Sequence, residues 1–168
     1  QDDPLFGARY MHEIYTRAEP HFTGRATVPV LWDMKRNVMV NNESADILRM
    51  FDTAFEGLVP SDLRLYPADL AAEIDTLNPV IYDKLNNGVY KAGFARSQQA
   101  YDKAVHALFD TLDWLEALLA DRRYLSGDRV TEADWRLAPT LFRFDPVYHT
   151  HFKCNRTFLR ELPNLWGY

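Results

Sequence analysis

TVPVLWDMKRNVMVNNESADILRM, residues Thr27 to Met50, is the stretch that decides how this chain is read. Val28-Pro29-Val30-Leu31-Trp32 is a short apolar run of β type, and Asn37-Val38-Met39-Val40 is a second. Between them Asp33-Met34-Lys35-Arg36 is polar and suits a hairpin turn. Asn41-Asn42-Glu43-Ser44 breaks the second strand, after which Ala45, Ile47, Leu48 and Phe51 fall at helical spacing. The stretch reads strand, turn, strand, helix, with Glu43 and Ser44 at the first turn of the helix.

Pro29 has no amide to give to a ladder. Were Val28-Pro29 cis, the bend would free the amide and carbonyl of Val28 to pair with an extended ligand. The helix start offers unpaired N–H groups and a partial positive charge, which suit a carboxylate. Two readings follow from spacing alone. One is a peptide cradle, with main-chain pairing at Val28 and carboxylate capture at Ser44. The other is a tight turn into a capped helix.

Working outward, residues 8–18 carry Tyr10, Met11, Ile14 and Tyr15 as a short amphipathic stripe that Glu19-Pro20 ends. The loop His21 to Arg25 leads into the strand and is placed to supply side chains beside Val28. Beyond Phe51, residues 57–66 contain Gly57, Pro60, Ser61 and Asp62 without a steady period and read as a linker. Domains are thus expected at 1–56 and 67–168. The second is wholly helical. Ala71, Ile74, Leu77, Ile81 and Leu85 share a face, with a bend expected at Pro79 and a helix stop at Asn86-Asn87-Gly88. From Gln98 to Leu119, Ala104, Val105, Leu108, Leu112, Leu115 and Leu119 form one stripe, while Asp102, Lys103, Asp110 and Glu116 face away. Thr131-Glu132-Ala133-Asp134 is a variant capping box opening another helix, in which Pro139 should kink the axis. Pro163 should break a last short helix.

With 168 residues, 47% hydrophobic and 14% aromatic, the chain has ample material for a packed core. A formal net charge of −5 and scattered basic residues argue against a nucleic-acid partner. No apolar run approaches the roughly 20 residues of a membrane span. One cysteine, Cys154, excludes an internal disulfide and fits the reducing cytoplasm. It follows a helix rather than opening one, so it lacks the help that ionises a reactive thiol. His149 and His151, read as an extended pair, lack the further ligands a zinc site needs, so no metal is expected.

Four further segments matter: NNGVYKAGFA at 86–95, TEADWRL at 131–137, RFDPVY at 143–148 and HFKCN at 151–155. Together with TVPVLWD and VNNES they resemble the glutathionyl-hydroquinone reductases, a branch of the glutathione transferases, along almost the whole chain. The resemblance implies a thioredoxin-like α/β domain, here lacking its first strand and helix, followed by an all-helical glutathione transferase domain. It implies an internal piece of a longer, homodimeric protein whose nucleophilic cysteine precedes this stretch. Glutathione would be the co-substrate and a glutathionyl-quinol the substrate. Arg25, Ala26, Thr27, Val28, Glu43 and Ser44 would hold the glutathione. Tyr90 would be the proton donor and acceptor for the quinol oxygen, and Tyr148 would lower the pKa of the catalytic thiol. Without the resemblance both tyrosines read more readily as buried core aromatics. A non-catalytic glutathione-binding module and a conventional glutathione transferase are the rival functions.

Overall fold

The computed structural model describes residues 3–58 and 61–168. The chain divides into two compact units, Gln1–Val59 and Pro60–Tyr168. The expected linker at 57–66 lies in part, at Val59 and Pro60, outside the described residues. Its last two residues are tied to the second unit: the Leu65 carbonyl accepts the Glu132 amide at 2.7 Å, and the Tyr66 hydroxyl donates to Asp75 at 2.7 Å.

The first unit contains α1 (Met11–Ala18), β1 (Leu31–Asp33), β2 (Val38–Asn41) and α2 (Ser44–Thr53). The strands form a two-stranded antiparallel sheet pairing Leu31 with Asn41, Trp32 with Met39 and Asp33 with Val38, with a register shift between Leu31 and Trp32. Local chemistry makes the hairpin. The Asp33 carboxylate accepts the amides of Lys35 and Arg36, each at 2.9 Å. Asn37 takes the left-handed φ of 57° that closes the turn, which asparagine tolerates. β1 starts later than the apolar run predicts: Val28 to Val30 stay outside the ladder.

The second unit is helical: α3 (Ala71–Ile81), α4 (Gly88–Gly93), α5 (Gln98–Leu118), α6 (Glu132–Arg143), α7 (His149–His151) and α8 (Pro163–Gly167). π-helical segments at Tyr82–Asn86 and Phe144–Tyr148 follow α3 and α6. Pro79 and Pro139 are carried inside their helices. Asn86-Asn87-Gly88 does not stop the chain; α4 begins at Gly88, packed against Leu108. Pro163 opens α8, its missing amide being one a first-turn residue does not need. The core joins Ile74, Leu77, Ile81 and Leu85 to Leu108, Leu112 and Leu115 of α5 and to Leu137 of α6. The α5 stripe is as spaced, except that Glu116 does not simply face away. Its carboxylate caps α8 by accepting the amides of Asn164 at 2.9 Å and Leu165 at 2.8 Å.

α6 is fixed at its start. Asp134, buried, accepts the Thr131 amide at 2.7 Å and the Thr131 hydroxyl at 2.9 Å on one oxygen. Its other oxygen accepts the Leu125 amide at 2.9 Å and the Tyr168 hydroxyl at 2.8 Å. Beside it, buried Glu132 accepts from Asn78 at 2.8 Å and faces Arg136 at 3.8 Å. Among the described residues no helix is long and apolar enough to cross a membrane.

Candidate functional site

In the first unit the Val28-Pro29 peptide bond is cis, and Val28 is 72% exposed. Among the described residues neither its amide nor its carbonyl has a hydrogen-bond partner. Thr27 and Arg25 are exposed and Ala26 half-buried, and no described carboxylate pairs with Arg25. Downstream, Glu43 is the N-cap of α2, its carboxylate accepting the Ala45 amide at 3.2 Å. The Ser44 hydroxyl lies 3.5 Å from that same carboxylate. The Asn41 side chain accepts the Glu43 amide at 2.7 Å and so sets the entry to the helix.

One residue, legible beforehand only as part of an amphipathic stripe, links these segments. Tyr15 of α1, 1% exposed, donates its hydroxyl to the Thr27 carbonyl at 2.9 Å and accepts the Asn42 side-chain amide at 3.0 Å. Phe22 packs on its ring at 4.7 Å. Gly24, at φ +155°, leaves room for that ring, since a Cβ there would lie 3.0 Å from the Phe22 Cζ.

The second unit brings Tyr90 and Tyr148 together. Their hydroxyls are 3.2 Å apart and their rings meet edge to face at 5.8 Å. Tyr90 sits on α4 and is 45% exposed, whereas Tyr148 ends the second π segment and is 5% exposed. Burial, and then the hydroxyl of Tyr90, push the Tyr148 phenol up to about 12, so it stays protonated at neutral pH. Phe152 and Phe94, unnoticed in the sequence, complete an aromatic wall. Phe152 lies 5.4 Å from each tyrosine ring and 5.2 Å from Phe94, which is 69% exposed. The arrangement offers an accessible phenol hydroxyl, backed by a protonated one, beside apolar rings on which a planar aromatic ligand stacks.

Cys154 is fully buried, its thiol pushed up to about 11 by burial, with the Phe152 carbonyl 3.9 Å from Sγ. His149 and His151 form the short helix α7 rather than an extended pair, and His149 stacks on Phe158 at 3.7 Å. An apolar groove of about 540 Å³ between Trp135, Phe142, Pro146 and Trp166 includes neither Tyr90 nor Tyr148. The carboxylate of Asp145 on its wall is taken up by the amides of Leu159 and Arg160.

Residues 98–168 match the glutathione S-transferase C-terminal domain, which sets the class of the helical unit. Glutathionyl-hydroquinone reductase PcpF of Sphingobium chlorophenolicum is 52% identical over 97% of this chain and 52% of its own length. The glutathione-bound structure of YqjG, a glutathione transferase homolog from Escherichia coli K-12, superposes with a TM-score of 0.97 at 52% identity, covering 99% of this chain and 54% of that one. Glutathione transferase Xi 1 from Trametes versicolor superposes with a TM-score of 0.95, again at 52% identity, covering 99% of this chain and 59% of that one. Over nearly its whole length the chain is thus similar to glutathionyl-hydroquinone reductases and Xi-class transferases, and residues 98–168 carry the glutathione S-transferase C-terminal domain. It spans about half the length of the curated relatives it matches.

Proposed function

We propose that this chain is part of a cytoplasmic glutathionyl-hydroquinone reductase. Its first unit is the glutathione-holding part of a thioredoxin-like domain, and its second unit carries the tyrosines that act on the hydroquinone. The observation that carries the reading is the bonded hydroxyl pair of Tyr90 and Tyr148 at the edge of an aromatic wall. A departing hydroquinone needs both a proton source and a ring partner, and the tyrosine pair and the aromatic wall offer both.

Glutathione lies extended against Val28, whose amide and carbonyl pair with its main chain. Its carboxylate sits at the start of α2 by Ser44, where orphan amides and the helix dipole favour negative charge. Arg25 pairs with the other carboxylate. The thiolate of a cysteine outside this chain attacks the sulfur of the glutathionyl-hydroquinone. An S–S bond forms, the carbon–sulfur bond breaks, and the ring takes up a proton. The sulfur is oxidised to a disulfide as the ring is reduced. Tyr90 gives and takes the proton at the quinol oxygen during this step, and Tyr148 donates toward the thiolate and holds it charged. A second glutathione then attacks the mixed disulfide, releasing glutathione disulfide and restoring the thiolate. The complete protein is a homodimer, as the resemblance implies.

The test is to incubate the complete protein with a glutathionyl-hydroquinone and glutathione and to quantify products. The reading requires hydroquinone and glutathione disulfide in equal amounts. Conjugation of glutathione to an electrophile without hydroquinone release would identify a conventional transferase. Glutathione binding without any turnover would identify a binding module.

A further inference from the structure

The cradle residues, exposed but for half-buried Ala26, lie on two separate stretches, Arg25 to Val28 and Glu43 to Ser44. Exposed segments of this kind wander unless something inside holds them. The Tyr15 hydroxyl is the group placed to do so. It reaches the carbonyl of Thr27, the residue before Val28, and the side chain of Asn42, the residue before Glu43. The Thr27 hydroxyl adds a third contact at 3.3 Å. Asn42 has no other hydrogen-bond partner among the described residues. The phenol gives its one proton to the Thr27 carbonyl and accepts one from Asn42. Its ring is locked by burial and by Phe22, so the hydroxyl is a fixed point to which both lips are pinned.

We propose that Tyr15 is a positioning residue for glutathione, pinning the Thr27–Val28 and Asn42–Ser44 lips at the spacing the tripeptide spans. It touches neither glutathione nor the reacting sulfur and acts through its neighbours. The proposal rests on the reading of these two stretches as a glutathione cradle. Without the hydroxyl the competent arrangement is one of several, and the apparent Kd rises by the inverse of its population. A population falling to about a tenth raises Kd about tenfold.

The experiment is calorimetric titration of glutathione into the complete protein and its Tyr15→Phe, Asn42→Ala, double and Ser44→Ala variants, with turnover measured alongside. Tyr15→Phe raises the glutathione Kd about tenfold while kcat at saturating glutathione changes less than twofold; a residue serving only the fold would lower the melting temperature and leave Kd alone. Asn42→Ala raises Kd in the same direction, and the double variant binds no more weakly than Tyr15→Phe, because the two changes cut the same tie. A Tyr15→Phe Kd within twofold of wild type, beside a weakened Ser44→Ala, overturns the proposal and leaves the cradle standing. An unchanged Kd in Ser44→Ala overturns the cradle itself and this proposal with it. Should Tyr15→Phe not fold, Asn42→Ala decides on its own: a Kd within twofold of wild type overturns the proposal.

Discussion

The hydroxyls of Tyr90 and Tyr148 lie 3.2 Å apart, the first on an exposed ring and the second on a buried one. Burial and its neighbour hold the Tyr148 phenol up to about 12, so it is a donor across the neutral range. A donor to a thiolate favours the charged form. Its loss removes a charge-assisted bond of roughly 1.5–3 kcal/mol, which is about one to two pH units in the partner. Tyr148→Phe in the complete protein should therefore shift the acid limb of the turnover profile upward by about that much. The pH–rate profile checks it; an unmoved limb would remove Tyr148 from the thiol.

Gly93 ends α4 directly against Phe152. A Cβ there would lie 2.6 Å from the Phe152 Cδ1 and 2.8 Å from its Cβ, near the root of the side chain where it cannot swing clear. Gly93→Ala should destabilise by about 1–3 kcal/mol, as overpacking does. Because Phe152 touches both tyrosine rings, turnover should fall more than the folded fraction does. Denaturant unfolding beside kcat per folded molecule separates the two effects.

Asp134 is the most heavily used carboxylate described in the helical unit, joining Thr131, Leu125 and Tyr168. Asp134→Ala leaves three buried donors and the Tyr168 hydroxyl without it. At about 1–3 kcal/mol for each group left unpaired, the loss should be about 3 kcal/mol or more. Chemical denaturation of the variant reads this directly, and a loss under about 1 kcal/mol would mean water replaces the carboxylate.

How much of this the sequence showed depends on how local the determinants are. The hairpin was legible because polar Asp33 to Arg36 separate two apolar runs, although Asn37, read as strand, belongs to the turn, and α6 was legible because Thr131 and Asp134 cap it three residues apart. Asn86-Asn87-Gly88 misled because its partners are remote. The Asn86 side chain donates to the Arg136 carbonyl at 3.0 Å and the Thr140 hydroxyl at 2.7 Å, which stabilises a π turn leading into α4. Nothing near Tyr15 points to Thr27 or Asn42, and nothing near Tyr90 points to Tyr148, which is why resemblance alone gave the tyrosine roles.

Cys154 supplies an alkaline prediction. Burial raises its thiol from 9.0 to about 11, so the folded state favours the protonated form. That contribution is complete below about pH 9 and is lost as pH rises through about 11. Tyr148 adds a similar loss from 10.0 to about 12. Melting temperature should hold to about pH 9 and then fall, with Cys154→Ala removing the lower part of the decline. The same variant should retain turnover, since the thiol is fully buried; abolished turnover in a folded variant would assign the nucleophile to Cys154.

Tyr90→Phe tests the central claim most directly. Phenylalanine keeps the ring and its contacts with Phe94 and Phe152, and Tyr90 is 45% exposed, so loss of its hydroxyl costs little stability. Proton transfer to the leaving hydroquinone loses its catalyst, typically worth about 10²–10⁴-fold. The measurement is kcat of the complete protein on a glutathionyl-hydroquinone, beside glutathione Kd and melting temperature. The account predicts kcat lower by at least about a hundredfold, with Kd and melting temperature nearly unchanged. Equal kcat in variant and wild type would contradict it.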